Sequence, residues 1–226
     1  MKIGEAELEF LGHSGFIISF GTNGSSKRIA IDPYMVSLGI EKVDYILITH
    51  GHYDHCSIED ITKLAKSGSI IIVPADVQSK ITKIDEVHLQ VIEVGDELTL
   101  GNIKIEAIPA YNVSKDFHPK SEGWMGYVVK FANTVIYHAG DSDSIPEMQR
   151  LSGYGKKGVT FIALLPVSGN YVMDFEQAAK TASLLNPDVA IPMHYGSGVI
   201  GTLEDAKNFV KVCESLNVKA VILEKK

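Results

Sequence analysis

The chain has 226 residues, enough for one large domain or two small ones, and its 45% hydrophobic and 22% charged content is ordinary for a compact globular protein. Lys and Arg total 21 against 28 Asp and Glu, and the resulting formal charge of -7 argues against binding to a nucleic-acid backbone. The sequence contains no long linker, low-complexity tract or internal repeat, so we expect a single domain over residues 1–226.

Cysteine usage and hydropathy bear on the compartment in which the protein works. The two cysteines, Cys56 and Cys213, lack the paired spacing of a disulfide framework or a zinc ribbon, which is typical of a reducing cytosol. No apolar run approaches the roughly 18 residues that span a bilayer, and the first residues lack the pattern of a secretory signal. We therefore expect a cytoplasmic protein without a membrane partner. The sequence leaves a homo-oligomer open.

Short apolar runs bounded by turn residues predict strands along most of the chain. In chain order the predicted strands are 8–11, 16–20, 28–31, 45–49, 70–73, 90–94, 103–109, 127–131, 134–137, 160–165, 189–192 and 220–223. Helical periodicity predicts helices over 57–66, 145–151, 175–185 and 203–216. Two of them begin with N-cap pairs, Ser57 with Asp60 and Asp174 with Gln177. This mixture indicates sheets covered by helices.

The segment THGHYDH, residues 49–55, directly follows the apolar run 45–48 and contains three histidines and one aspartate. Burying these groups without partners is costly, so they belong either to an exposed loop or to a site with a shared partner. His50 and His52 are two residues apart and point to one side if the extended geometry continues. Imidazole nitrogen and carboxylate oxygen are the preferred ligands of zinc and neighbouring first-row metals. The density of such residues at a strand end favours a metal site.

A single motif of this kind has too few ligands for two metal sites, and other histidines can complete them. These lie in turn-like contexts: His13 in LGHSGF, His118 in DFHPKSEGW, His138 in IYHAGDSD and His194 in IPMHYGSG. The last two follow apolar runs, as does Asp141. Side chains from separate strand ends can converge at one edge of a sheet.

These motifs, in this order, resemble the metallo-β-lactamase superfamily. The resemblance rests on THGHYDH, on HAGD at 138–141 and on PMHY at 192–195, together with LGHSGF and with IDPY at 31–34, and it spans most of the chain. Within the superfamily the chain is most similar to small stand-alone hydrolases related to ascorbate-6-phosphate lactonases. The resemblance implies an α/β fold, a four-layer αββα sandwich, with a dinuclear metal site at one edge of its two sheets.

The resemblance also implies a ligand set. By position it comprises His50 and His52 for the first metal, Asp54, His55 and His194 for the second, and Asp141 as the bridge between them. The chain departs from the family pattern after the strand 103–109, where relatives have a histidine and this chain has Asn112. We favour His118, six residues later, as the missing ligand because imidazole binds metals more strongly than an amide oxygen; Asn112 is the alternative.

The implied cofactors are two divalent transition metals, zinc or manganese, with iron and nickel as alternatives because such ligand sets accept all four. The implied reaction is hydrolysis of a small ester, lactone or phosphodiester by a hydroxide that bridges the metals. Asp54 and His138 are the predicted catalytic residues, since both can transfer protons. The remaining candidates, which would support the ligands or contact substrate, are His13, Asn112, Asn170 and Tyr195.

Other functions share this ligand pattern. A nuclease of the RNase Z type is disfavoured by the acidic balance and the absence of a basic arm. A redox protein of the flavodiiron kind is disfavoured because those relatives generally carry glutamate where His52 stands and also carry a flavin domain. A non-catalytic metal-binding or regulatory protein, inactivated by the change at Asn112, stays open. We expect a small-molecule substrate.

Overall fold

In a computed structural model of the protein, residues 1–21, 26–156 and 158–226 are described. Within these residues the chain forms two compact units. Unit 1 comprises Met1–Glu93 with Leu223–Lys226, and unit 2 comprises Val94–Ile222. Each unit contains one mixed β-sheet and its own helices. The single-domain organisation stays a prediction.

The described strands of unit 1 pair in chain order into one sheet. They are β1 Lys2–Ile3, β2 Ala6–Gly12, β3 Gly15–Phe20, β4 Lys27–Ile31, β5 Val43–Leu47, β6 Ala65–Val73 and β7 His88–Val91. Pairing is antiparallel from β1 to β4 and parallel from β4 to β7. Because of these directions, β2, β4 and β5 end at the same edge of the sheet.

The helices described in unit 1 are short. They are α1 Ile58–Leu64, the 3₁₀-helix Ala75–Val77 and α2 Gln78–Ile81. The Ser57 hydroxyl accepts a hydrogen bond from the Asp60 N–H (3.3 Å), which confirms the predicted N-cap pair. Ile61 and Leu64 of α1 are buried in the same apolar cluster as strand residues such as Ile46. The predicted helix 57–66 is too long because β6 begins directly after Leu64.

In unit 2 the described strands form a second sheet in the order β13-β12-β11-β10-β9-β8. Their bounds are β8 Glu97–Leu100, β9 Ile103–Pro109, β10 Met125–Phe131, β11 Thr134–His138, β12 Thr160–Pro166 and β13 Val189–Met193. Pairing is antiparallel from β8 to β11 and parallel from β11 to β13. The strands β9, β11, β12 and β13 therefore all end at one edge.

A close backbone approach fixes the end of β11. A Cβ atom on Gly126 of β10 would lie 2.4 Å from the carbonyl oxygen of His138 and 2.7 Å from that of Ala139. Only glycine fits at this position, because a side chain would collide with backbone atoms. The contact sets the position from which the chain continues towards Asp141.

The described helices of unit 2 are the 3₁₀-helices Lys120–Glu122 and Pro146–Gly153 and the α-helices α3 Phe175–Leu185 and α4 Leu203–Ser215. Asp174 and Gln177 form a capping box at the start of α3, which confirms the predicted pair. Thr202 and Asp205 form a second capping box at the start of α4. No helix in the described part of the chain has the length and apolar character needed to cross a membrane.

The helix predicted over 145–151 is present as the 3₁₀-helix Pro146–Gly153. The buried residues Ile145, Met148 and Leu151 are spaced by three, which matches the three residues per turn of a 3₁₀-helix. The N–H of Met148 bonds to the carbonyl of Ile145 (3.1 Å), and that of Tyr154 bonds to the carbonyl of Leu151 (3.0 Å).

The predicted strand over 220–223 is wrong. Ala220 forms one isolated parallel bridge with Ala190, and the described residues 221–223 are not part of a strand. Other strand predictions overlap their strands with shifted bounds: 45–49 extends past the end of β5, 70–73 covers only the second half of β6, and 90–94 overlaps β7 only at 90–91. β8 was not predicted because its four residues alternate between exposed and half-buried positions at the sheet edge, which leaves little apolar signal.

Candidate metal centre

A buried hydrogen-bond network in unit 1 is centred on Asp32, directly after β4. Its carboxylate accepts from the backbone N–H of Thr49 (2.8 Å), from the Thr49 hydroxyl (2.6 Å) and from His55 Nδ1 (2.8 Å). His50 Nδ1 lies 2.9 Å from Thr49 Oγ1. Because that hydroxyl gives its proton to Asp32, it accepts from His50. Both imidazoles therefore carry a proton on Nδ1, and in the neutral ring Nε2 is left with a lone pair that can bind a metal.

His52 brings a further ring nitrogen to His50. His50 Nε2 and His52 Nδ1 lie 3.0 Å apart, and the ring centroids are separated by 4.7 Å. Two ring nitrogens at this distance need either a shared proton or a cation between them. A transition metal bound to both nitrogens would meet this requirement. His50 and His52 are the two residues predicted to bind the first metal.

His13 and Asp54 form a second contact in unit 1. His13 Nε2 lies 3.0 Å from Asp54 Oδ2, and both residues are buried. Together with His55 they offer ligand atoms that all lie within 4.8 Å of one another. Asp32, His50 and His55 offer another such group. The predicted ligands of the THGHYDH segment are thus brought together in this unit.

Unit 2 gathers its predicted ligands around Asp141. His194 Nε2 lies 3.1 Å and His118 Nε2 3.3 Å from Asp141 Oδ2, and all three residues are buried. His118 Nδ1 donates to the carbonyl of Tyr171 (3.0 Å), and His194 Nδ1 lies 2.7 Å from Ser168 Oγ. His118 Nε2 is therefore an acceptor in the neutral ring, and it faces a carboxylate oxygen.

The donor sets of both units fit divalent transition metals. Imidazole nitrogens whose second nitrogen is held by a protein oxygen are the usual form of metal-binding histidine. In the neutral rings, His118 Nε2 and Asp141 Oδ2 would repel each other at 3.3 Å unless a cation or a proton lies between them. The same argument applies to His50 Nε2 and His52 Nδ1, which also need a cation or a proton between them.

Strained backbone coincides with these residues. His13, Asp32 and His194 have φ values of 54°, 43° and 64°, in the left-handed region that residues other than glycine rarely adopt. Each such residue costs about 1–3 kcal/mol, and such strain is concentrated at functional sites. The three residues directly follow β2, β4 and β13, and their backbone conformation sets the direction of their side chains.

The other predicted site residues have different surroundings. His138 is buried at the end of β11, and its Nδ1 accepts from the Gly140 N–H (3.2 Å). Burial raises the pKa of Tyr195 to about 12, so its phenol is neutral at physiological pH. Asn170 is exposed, and its side chain forms no hydrogen bond within the described residues.

Sequence reasoning missed three residues that orient the ligands. Asp32 was noted only as part of the IDPY motif, although an aspartate directly after a buried strand was a usable signal. Thr49 was treated as the last residue of a strand, yet its N–H and hydroxyl both bond to Asp32. Ser168 had no signal, because its contact with His194 joins loops far apart in the sequence.

Cys56 follows His55 but does not act as a thiolate at neutral pH. The side chain is buried, and burial raises the pKa of the thiol to about 11. Its protein surroundings therefore keep the thiol protonated at neutral pH. Its small apolar side chain packs in the core cluster of unit 1.

We expect Asp32→Asn to weaken metal binding about 10- to 100-fold. The amide that replaces one carboxylate oxygen cannot accept from the three donors that Asp32 now satisfies, so the ring of His55 is no longer held with its proton on Nδ1. The measurement is metal retention against a chelator of known affinity. Asp44→Asn is the matched control, since Asp44 binds Lys27 and Lys66 in the same unit away from the ligands. Equal loss in both variants would contradict the prediction.

The chain is similar to known metal-dependent hydrolases. A family model described as a beta-lactamase superfamily domain matches residues 7–194. A UPF0173 metal-dependent hydrolase from Nanoarchaeum equitans is 31% identical, with 97% of this chain and 97% of the relative covered. A second UPF0173 metal-dependent hydrolase, from Staphylothermus marinus, is 34% identical, with 97% of this chain and 96% of the relative covered.

A solved structure supports the same relationship. The crystal structure of a protein named as a metal-dependent hydrolase, from Parabacteroides distasonis, matches with a TM-score of 0.81 and 29% identity over 98% of this chain and 94% of that one. These findings confirm the predicted superfamily, its α/β fold class and the prediction of a metal-dependent enzyme. The chain belongs to the UPF0173 family of metal-dependent hydrolases, within the beta-lactamase superfamily.

Proposed function

We propose that the protein uses two divalent metals, zinc or manganese, to hydrolyse a small ester, lactone or phosphodiester. The metals would be held by the histidine and aspartate ligands described in each unit. When bound, such metals lower the pKa of water towards about 7 and polarise the carbonyl or phosphoryl oxygen of a substrate. The observation that carries the proposal is the orientation of the rings: His50, His55 and His118 each have Nδ1 held by a protein oxygen.

Asp54 and His13 are the groups we propose for taking the proton from the attacking water. Their Oδ2 and Nε2 atoms lie 3.0 Å apart, so a proton can be shared between them. In ester hydrolysis the water oxygen bonds to the acyl carbon, the bond from that carbon to the alcohol oxygen breaks, and the alcohol leaves with a proton. Asp54 would accept the first proton, with His13 in contact with the carboxylate as it does so.

His138 is our candidate for the acid that protonates the leaving group. Because the Gly140 N–H donates to its Nδ1, the neutral ring carries its proton on Nε2. The proposed transfer would use that proton. The side chain is buried at the end of β11, which holds its orientation.

The non-catalytic alternative depended on Asn112 standing where relatives have a histidine. His118 Nε2 lies 3.3 Å from Asp141 Oδ2, which supports His118 as the substitute ligand and weakens that alternative. We further propose a cytoplasmic location and a small-molecule substrate. The free, buried Cys56 and Cys213 and the negative net charge support these two points.

The test is elemental analysis of protein purified without added metal or chelator, together with hydrolysis of bis(p-nitrophenyl) phosphate and a panel of lactones and p-nitrophenyl esters. We expect about two transition metals per chain and turnover of at least one substrate class. One metal or none, with no turnover after addition of zinc or manganese, would contradict the proposal and favour the non-catalytic alternative.

A further inference from the structure

A short helical segment of unit 1, residues 75–81, packs against the turn that carries the THGHYDH motif. The segment consists of a 3₁₀-helix followed directly by α2. Its buried residues Val77 and Ile81 belong to the same apolar cluster as Ile48 and Cys56. Ile48 directly precedes the motif and Cys56 directly follows it, so the cluster fixes the segment next to both ends of the turn.

Gly51 lies between the two candidate ligands of the first metal and has no space for a side chain. A Cβ atom at this position would lie 2.8 Å from Asp76 Oδ2, so one of the two groups would have to move. The same atom would lie 3.5 Å from Lys80 Nζ. The segment 75–81 is therefore in close contact with the turn at the residue that separates the two ligands.

Lys80 bonds to the backbone of this turn. Its Nζ donates a hydrogen bond to the carbonyl of Gly51 (2.5 Å). A bond from an ammonium to a carbonyl is charge-assisted and stronger than a bond between neutral groups. The planar peptide links this carbonyl rigidly to the nitrogen and Cα of His52. The bond therefore sets the orientation of the peptide unit from which the His52 side chain begins.

His52 depends on its backbone for its position more than His50 does. His50 is 1% exposed and held by packing, whereas His52 is exposed. The carbonyl of His52 accepts from the N–H of His55 (3.1 Å) and from that of Cys56 (2.8 Å). The backbone is thus held on one side of His52 by the turn itself and on the other side by Lys80.

The charge of Lys80 and its hydrogen bond have opposite effects on a bound metal. An ammonium repels a divalent cation, so by its charge alone Lys80 would weaken metal binding. The hydrogen bond favours binding, since it holds the turn in the arrangement in which His50 Nε2 and His52 Nδ1 lie 3.0 Å apart. The sign of the change in affinity when the ammonium is removed therefore tells the two effects apart.

We propose that Lys80 is a positioning residue that holds the turn 50–52 in the arrangement that binds the first metal. A ligand that is already ordered before binding loses less conformational freedom when the metal arrives. This inference rests on the metal site of the proposed function and adds to it a residue outside the ligand set.

The affinity of the intact protein for Zn²⁺ tests the proposal. The dissociation constants of both ions are measured by competition with a chelator of known affinity. Lys80→Met keeps the length of the side chain without its donor or charge, and it should weaken binding of one ion about tenfold. Lys80→Arg keeps a charged N–H donor and should recover most of the affinity. Lys83→Met is the control, because Lys83 is an exposed lysine just after α2.

A double-mutant cycle shows where Lys80 acts. His52→Ala removes the ligand that the bond positions, so Lys80→Met should have no further effect on the ion that the His52→Ala protein still binds. Thermal unfolding of the metal-free proteins is measured alongside. Lys80→Met should unfold close to the wild-type temperature, because the side chain is exposed and a surface substitution changes stability little.

Unchanged or tighter Zn²⁺ binding by Lys80→Met would overturn the proposal, as would an equal loss of affinity in the His52→Ala protein. An active wild-type protein with two ions, combined with either of these results, contradicts the role of Lys80 alone. A wild-type protein that binds two ions but cleaves no substrate contradicts the hydrolase activity alone, since the affinity comparison needs no turnover. A wild-type protein that binds no Zn²⁺ contradicts both.

Discussion

Asp54→Ala is expected to lower kcat/KM by about 10²- to 10⁴-fold for any ester, lactone or phosphodiester that the protein accepts. The carboxylate is buried, and its Oδ2 lies 3.0 Å from His13 Nε2. Alanine removes both a proposed metal ligand and the proposed proton acceptor. The fold should survive, because Asp54 lies in the turn after β5 and takes no part in strand pairing.

Two companion variants make this result interpretable. Asp54→Asn keeps the shape of the side chain and should lose most of the activity as well, since an amide is a weak ligand and a poor proton acceptor. Asp85→Ala removes an exposed carboxylate from the same unit and should keep wild-type turnover. Circular dichroism and thermal unfolding check the fold. An Asp54→Ala protein with near-normal turnover would rule out the proposed mechanism.

His118→Ala is expected to reduce the metal content towards one ion per chain, whereas Asn112→Ala should reduce it less. His118 Nε2 lies 3.3 Å from Asp141 Oδ2, and its Nδ1 donates to the Tyr171 carbonyl, so the ring is oriented as a ligand. The Asn112 amide is instead turned by its bond to that same carbonyl. Imidazole is also the stronger ligand.

Elemental analysis of the two variants and the wild type, purified side by side, gives the measurement. His88→Ala is the control, because His88 is an exposed histidine on β7. Thermal unfolding shows whether the loss of metal reflects a damaged fold. The reverse ranking, with Asn112→Ala losing more metal than His118→Ala, would make Asn112 rather than His118 the metal ligand after β9.

The sequence predicted those helices and strands whose pattern of apolar and capping residues lies within a few consecutive positions. The capping pair Asp174–Gln177 and the helical periodicity of α3 are contained within a few consecutive residues, and both were predicted. The segment 220–223 has the composition of a strand, yet it meets its neighbour at the single bridge between Ala220 and Ala190. Composition cannot show whether a neighbouring strand is available for pairing, because that depends on residues distant in the sequence.

By itself, the sequence determined the types of the candidate ligands, their order and their positions near strand ends, because THGHYDH, HAGD and PMHY are local motifs. It also placed His118 among the ligand candidates, which the contact with Asp141 supports. Only the tertiary structure decided which nitrogen of each ring is available to a metal. That choice is made by Asp32 for His55 and by the Tyr171 carbonyl for His118, and each partner is brought to its ring by folding rather than by proximity along the chain.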